Sequence, residues 1–244
     1  MDERFEMTPA SAFTTTTVAG AERVTSFLRK VYGWMFVGLG ITAAVAFAVA
    51  SSGAGLAIAR TPALNWGMFI GLFAIAMFMQ VRVDKIAPAT ATVLFVVYAA
   101  ALGAWLSVIF LIYSKGSIAS AFVVAAGMFG AAAVYGTVTK RSLAGWGQFF
   151  YMGFIGIFLS LLVSAFWRPA GESAGFQFGI SVIGVIVFTG LAAWKGQYLK
   201  QLALALPEGQ QGSYAIVGAL QVYITFINLF LMLLRLFGGG SRRS

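Results

Sequence analysis

Residues 221–240 read QVYITFINLFLMLLRLFGGG, an apolar stretch near the end of the chain that carries uncharged polar side chains. They are Gln221, Thr225 and Asn228. On an α-helix these positions share one face, and Met232 and Arg235 continue the same stripe. Polar side chains at membrane depth turn toward the interior of a helix bundle or toward water. The stretch therefore predicts a helix that lies centrally in a membrane bundle.

The composition of the chain supports a membrane protein. Its 244 residues are 60% hydrophobic and 9% charged, with a mean hydropathy of +0.91. A water-soluble domain of this length needs more polar residues to cover its surface. The net charge is +9, but the basic residues are scattered between apolar runs, as in loops that face anionic lipid. We therefore expect the lipid bilayer as a partner and no nucleic acid.

Seven apolar runs follow one another along the chain. Each is close to the ~20 residues that a helix needs to cross ~30 Å of hydrocarbon. The runs are continuous, whereas the strands of a membrane barrel alternate over about 10 residues. The predicted fold class is all-α, a polytopic membrane protein with seven transmembrane helices. The runs are Trp34 to Ala54, Leu64 to Val81, Ala87 to Tyr113, Ser117 to Thr137, Trp146 to Trp167, Phe176 to Trp194 and Tyr214 to Phe237.

Polar segments flank this apolar region. Residues 1–26 are rich in Thr and carry four acids, unlike the basic start of a cleaved signal peptide, and we predict a flexible cytosolic tail. Residues 27–239 form the predicted transmembrane domain. Residues 240–244 form a short basic C-terminal tail.

The distribution of Lys and Arg between the runs predicts the orientation in the membrane. Alternate connections carry six basic residues on one side and three on the other, and basic residues favour the cytoplasmic side. This places the N-terminus in the cytoplasm. Seven crossings then put Arg242 and Arg243 outside, which fits the same rule poorly, so a re-entrant last segment stays open. The richer side has Arg82, Lys85, Lys140, Arg141, Lys195 and Lys200, and the other has Arg60, Lys115 and Arg168.

The chain lacks the residues that several kinds of chemistry require. The chain has no Cys and no His, which excludes disulfides and every Cys- or His-based metal site, nucleophile or base. None of the seven runs contains Asp or Glu, and the acids beyond the tail are Asp84, Glu172 and Glu208. Calcium sites and proton relays in membranes ordinarily depend on such carboxylates. We expect neither an enzyme nor a bound cofactor or metal.

The polar stripe has two interpretations from the residues alone. Thr225 and Asn228 either form hydrogen bonds between helices, each contributing about 0.6 kcal/mol, or they line a polar path through the bundle. The other candidates for lining such a path lie in the fifth and sixth runs. They are Gln148, Tyr151, Ser160, Ser164, Gln177, Ser181 and Thr189.

Five segments resemble a known family. They are FLRKVYGWMF (27–36), APATATVLFVVYAA (87–100), AGMFGAAAVYGTVTKRSLAGWGQFFYMGFIGIFLSLLVSAFW (126–167), FTGLAAW (188–194) and YITFINLFLMLLRLFGG (223–239). These segments are similar to the Bax inhibitor-1 family, the transmembrane Bax inhibitor motif proteins, in a bacterial YccA-like form. The resemblance implies seven helices, the last one wrapped by two three-helix layers. It also implies an integral protein of the bacterial inner membrane.

The family resemblance implies a passive, pH-sensitive calcium leak and protection from stress, and some bacterial members restrain a membrane-bound protease. Its gating pair is an aspartate after the aromatic residue that ends the sixth helix and another before FINLF. The matching positions here are Lys195 and Thr225. A Lys ammonium ~8 Å from a divalent ion, at an effective dielectric of ~20, opposes its entry by ~4 kcal/mol. In the alternative interpretation, Lys195 ends the helix beside Trp194 and extends to the cytosolic headgroups.

Because Lys195 and Thr225 replace both aspartates, two functions stay open. The first is a passive ion channel of the cation or calcium-leak type with altered gating. The second is a non-conducting regulator that binds another membrane protein, such as a membrane protease. The candidate pore or gating residues are Lys195, Gln221, Thr225, Asn228 and Arg235.

Overall fold

The computed structural model describes the backbone of residues 9–166, 173–207 and 210–238, and their side chains apart from residues 9–19, 165 and 166. Within these ranges every regular element is an α-helix. In chain order the helices are α1 (Pro9–Ser51), α2 (Ala54–Arg60), α3 (Pro62–Val81), α4 (Pro88–Leu106), α5 (Ile109–Ile112), α6 (Lys115–Val138), α7 (Ala144–Phe166), α8 (Ala174–Ala205) and α9 (Gln211–Gly238).

Seven helices in the described part of the chain are long and apolar enough to cross a membrane. Each overlaps one of the seven predicted runs, with α4 and α5 together supplying the third as Pro88–Ile112. The prediction of an all-α polytopic membrane protein is therefore confirmed. The last span is a single unbroken helix of 28 residues, which at ~1.5 Å per residue is long enough to cross the bilayer.

Local sequence explains several of the helix boundaries. Pro62 and Pro88 stand in the first positions of α3 and α4, where the missing N–H costs nothing because no partner exists there. Ser114 caps α6: its Oγ accepts a hydrogen bond from Ser117 N at 3.1 Å. Ser173 caps α8 in the same way.

Two boundaries differ from the sequence prediction. Helix α1 begins at Pro9, so residues 9–26 are helical where a flexible tail was predicted. Residues 1–8 and the predicted basic tail at 240–244 lie outside the described residues. Helix α8 continues to Ala205, eleven residues beyond the predicted end at Trp194. In both cases a spanning helix extends past its apolar run, because the helical backbone satisfies its own hydrogen bonds whatever its side chains are.

Helix α9 is the most enclosed span. Buried residues make up 78% of its most apolar stretch, against 11–39% in the other six spans. It packs mainly against α8, α1, α6 and α4, while α7 packs mainly against α8. Helix α9 is thus the most enclosed of the described spans, whereas its central position and its wrapping by two three-helix layers stay predictions.

Glycines let neighbouring helices approach closely. A Cβ on Gly136 of α6 would collide with the carbonyl oxygen of Ala193 on α8, and one on Gly196 of α8 would lie 2.6 Å from the carbonyl oxygen of Ala133. The pair of α6 and α8 is therefore held at backbone contact, as is usual for small residues between membrane helices. This packing holds α8 against α6.

Candidate functional site

Lys195 joins α8 to α9 inside the bundle. Its Nζ donates hydrogen bonds to the backbone oxygen of Gln221 at 2.9 Å and to Thr225 Oγ1 at 2.8 Å. The Thr225 hydroxyl donates in turn to the same Gln221 oxygen, at 2.8 Å. We call this group of Lys195, Gln221 and Thr225 the Lys195 site. The structure therefore brings together the two residues that the resemblance matched to the aspartate pair.

The Lys195 site contains a positive charge and only neutral acceptors. Thr225 is 2% exposed and Lys195 is half-buried. Neither α8 nor α9 contains an Asp or Glu, and Asp84 is exposed in the connection between α3 and α4. An ammonium donates up to three hydrogen bonds, and two of its donors are used here. The arrangement can fasten α8 to α9, and it can present a positive charge to a mobile ion.

The other stripe residues continue along α9. Asn228 is half-buried, and its Nδ2 donates to the backbone oxygen of Ile224 on its own helix at 2.8 Å. Arg235 is also half-buried, and its Nη1 is buried without a hydrogen-bond partner among the described residues. The stripe thus runs from a cation on α8 to a second cation near the end of α9.

The stripe is not the sole inward face of α9. Ile227 and Leu234 lie on the opposite side of the helix from Thr225, yet they are only 6% and 1% exposed. Neighbouring helices surround α9 on almost every side, so both its polar and its apolar residues are buried. Burial alone therefore does not identify a path.

The remaining polar candidates do not join the Lys195 site. Gln148 and Tyr151 are exposed on α7. Thr189 Oγ1 on α8 is buried without a partner among the described residues. Three serine hydroxyls bond to backbone oxygens one turn earlier on their own helices, and Gln177 lies in the first turn of α8. Those serines are Ser160, Ser164 and Ser181.

Two side chains near the end of α8 make contacts that were not anticipated from the sequence. Gln197 accepts a hydrogen bond from Leu143 N at 2.7 Å and donates one to the oxygen of Arg141 at 2.8 Å. Lys200 Nζ donates to the oxygen of Thr137 at 2.9 Å. Gln197 thus ties the connection between α6 and α7 to α8, and Lys200 ties the last turn of α6 to it. The sequence feature that could have indicated them is the group of polar residues after Trp194, which includes Gln197 and Lys200 and continues the helix.

Comparison with known proteins gives one family and several bacterial relatives. The family model described as "Inhibitor of apoptosis-promoting Bax1" matches residues 24–243. Inner membrane protein YbhL of Escherichia coli (strain K12) is 42% identical over 217 residues, which cover 87% of this chain and 91% of that protein. Uncharacterized proteins of Borreliella burgdorferi and Deinococcus radiodurans are 38% and 37% identical, covering 87% and 91% of this chain, and 91% and 93% of their own lengths.

Proposed function

This chain belongs to the Bax inhibitor-1 family, and from that membership and the Lys195 contacts we propose that it is a passive ion channel with altered gating. Its proposed location is the bacterial inner membrane, with the N-terminus in the cytoplasm. The path follows the stripe on α9, and the protein acts by passage of ions without catalysing a reaction.

The observation that carries the proposal is the contact of Lys195 Nζ with Thr225 Oγ1, at 2.8 Å. An aspartate pair at these positions would open or close the pore as it loses or gains a proton. Here one side chain donates to neutral acceptors on the neighbouring helix, so closure needs no carboxylate. The Lys195 site acts as a latch between α8 and α9, and opening requires both of its hydrogen bonds to break together.

The same positive charge disfavours calcium as the conducted ion. At ~8 Å and an effective dielectric of ~20, an ammonium opposes a divalent cation by ~4 kcal/mol, about a thousandfold in occupancy. No acid of α8 or α9 offsets this repulsion. The native protein should therefore pass little calcium.

A second function is a non-conducting regulator that binds another membrane protein, such as a membrane protease. Its support is the close enclosure of α9, together with the absence of carboxylates from α8 and α9. In this case the helices serve as a rigid scaffold, and an exposed surface makes the contact.

Ion flux in liposomes separates the two functions. We expect purified protein to raise salt leakage above that of protein-free liposomes, and Lys195→Met to raise it several-fold further, because Met keeps the length of the side chain and removes both hydrogen bonds. Lys140→Met is the matched control, since Lys140 is exposed between α6 and α7. Leakage equal to that of protein-free liposomes for the native chain and for Lys195→Met would overturn the channel and favour the regulator.

A further inference from the structure

Lys195 places a cation among helices that are almost free of negative charge. Its own helix packs against α1, α6, α7 and α9. The charged side chains of these five helices within the described residues are basic, except for Glu22, which is exposed near the start of α1. The basic ones are Arg23, Arg29, Lys30, Lys115, Lys195, Lys200 and Arg235.

A cation at this depth needs a partner of opposite charge or water. The two hydrogen bonds of Lys195 satisfy two donors but leave its charge unbalanced, because a backbone oxygen and a hydroxyl are both neutral. The third N–H of the ammonium has no hydrogen-bond partner among the described residues. The position suits a small mobile anion.

Arg235 supplies a second, independent observation on the same stripe. Its Nη1 is buried with no hydrogen-bond partner among the described residues. Ten residues separate it from Thr225, about 15 Å along a helix. Asn228 lies between them, and its amide is polar but uncharged. Lys195 and Arg235, the two cations at the ends of the stripe, therefore each keep an N–H donor without a partner among the described residues.

We infer that the stripe from Lys195 to Arg235 binds small monovalent anions of the chloride class, and that the ion this protein conducts is an anion. The statement about conduction rests on the proposed channel function, whereas the statement about binding does not. At ~8 Å and an effective dielectric of ~20, one ammonium raises the occupancy of a monovalent anion about thirtyfold. It lowers that of a monovalent cation by the same factor, so the charge selects between them.

Binding is tested first, on the full chain in detergent, by the chloride-35 NMR linewidth in a chloride titration. We expect saturable broadening for the native protein, a several-fold weaker effect for Lys195→Gln and Arg235→Gln, and native behaviour for Lys140→Gln. Each variant is accepted only if it elutes as a single species with a melting temperature near that of the native chain. Equal broadening by the native chain and by both site variants would overturn the anion site.

Selectivity is tested by the reversal potential of the protein in planar bilayers under a potassium chloride gradient. We expect a potential close to the chloride equilibrium value, moving toward zero in Lys195→Gln. A potential close to the potassium value would overturn the anion assignment while leaving the channel in place. Absence of current, with saturable chloride binding intact, would refute the channel and uphold the anion site.

Discussion

Gly136 lies where α6 and α8 come closest, and it has no room for a side chain. A Cβ there would collide with the carbonyl oxygen of Ala193, a backbone atom that moves only if the helix moves. We expect Gly136→Ala to lower the free energy of unfolding by about 1–3 kcal/mol. Gly127→Ala on the same helix is the control, because nothing lies within 4 Å of its added Cβ.

The measurement is reversible unfolding in mixed micelles. For Gly127→Ala we expect no loss and a gain of up to about 1 kcal/mol, since Ala favours the helix over Gly. Equal losses in the two variants would contradict the close approach of α6 and α8.

Tyr223 and Thr42 form a buried hydrogen bond between α9 and α1. Thr42 Oγ1 also donates to the backbone oxygen of Ala99 on α4, at 2.9 Å, so the Tyr223 hydroxyl is the donor to Thr42. We expect Tyr223→Phe to cost about 1 kcal/mol, and Thr42→Val to cost more because it breaks two bonds. A double-mutant cycle in the same micelles should give a coupling near 0.6 kcal/mol, roughly the average for membrane helices. A coupling of zero would refute the bond.

The sequence predicts some of these contacts and not others. The spacing of Gln221, Thr225 and Asn228 predicts that they share a face, because helical periodicity is local. The meeting of Lys195 with Thr225 follows from the family resemblance alone. The bond of Thr42 to Tyr223 depends on how distant helices cross, and no pattern within either helix encodes that.

At the scale of elements, hydropathy predicts the apolar centre of each helix better than its ends. The predicted sixth run stops at Trp194, but α8 continues through Gln197 and Lys200 to Ala205. Polar side chains end an apolar run without ending a helix. The break between α4 and α5 at Ser107 and Val108 was missed for the opposite reason, because the apolar run continues across it.

The orientation of the helices is a prediction that cysteine labelling tests directly, since the chain has no native Cys. Asp84, in the connection before the third span, and Lys115, the first residue of α6 after it, are both exposed and lie at opposite ends of that span. We expect a membrane-impermeant maleimide added to intact cells to label Lys115→Cys but not Asp84→Cys, because basic residues favour the cytoplasmic side. A Cys at residue 10 should behave like Asp84→Cys. The reverse pattern would invert the orientation.

At the scale of the whole molecule, the presence of Lys195 and Thr225 at the two aspartate positions predicts how the bundle responds to pH. The native protein should show little calcium flux in liposomes and no carboxylate-type response between about pH 5 and 8. Two aspartates at positions 195 and 225 would lie in contact and share a proton, since like charges so close do not both ionise freely. We expect Lys195→Asp with Thr225→Asp to pass calcium in a pH-dependent manner.

A trapped calcium dye reports this flux for native and doubly substituted protein at equal insertion. Strong pH-gated calcium entry through the native chain would show that other groups conduct, and Asp84 or Glu208 would be tested first. A folded double variant without calcium flux would favour the regulator.

The enclosure of α9 also has a consequence for biosynthesis. In chain order α9 is the last of the described helices, so the ribosome makes the six earlier spans before the helix that they surround. Until α9 enters the membrane, the residues that contact it, such as Phe95 and Phe129, face lipid or one another. The final bundle therefore assembles only after the last span has left the insertion machinery. A chain arrested before residue 211 would lack its most enclosed helix and leave the residues that contact it uncovered.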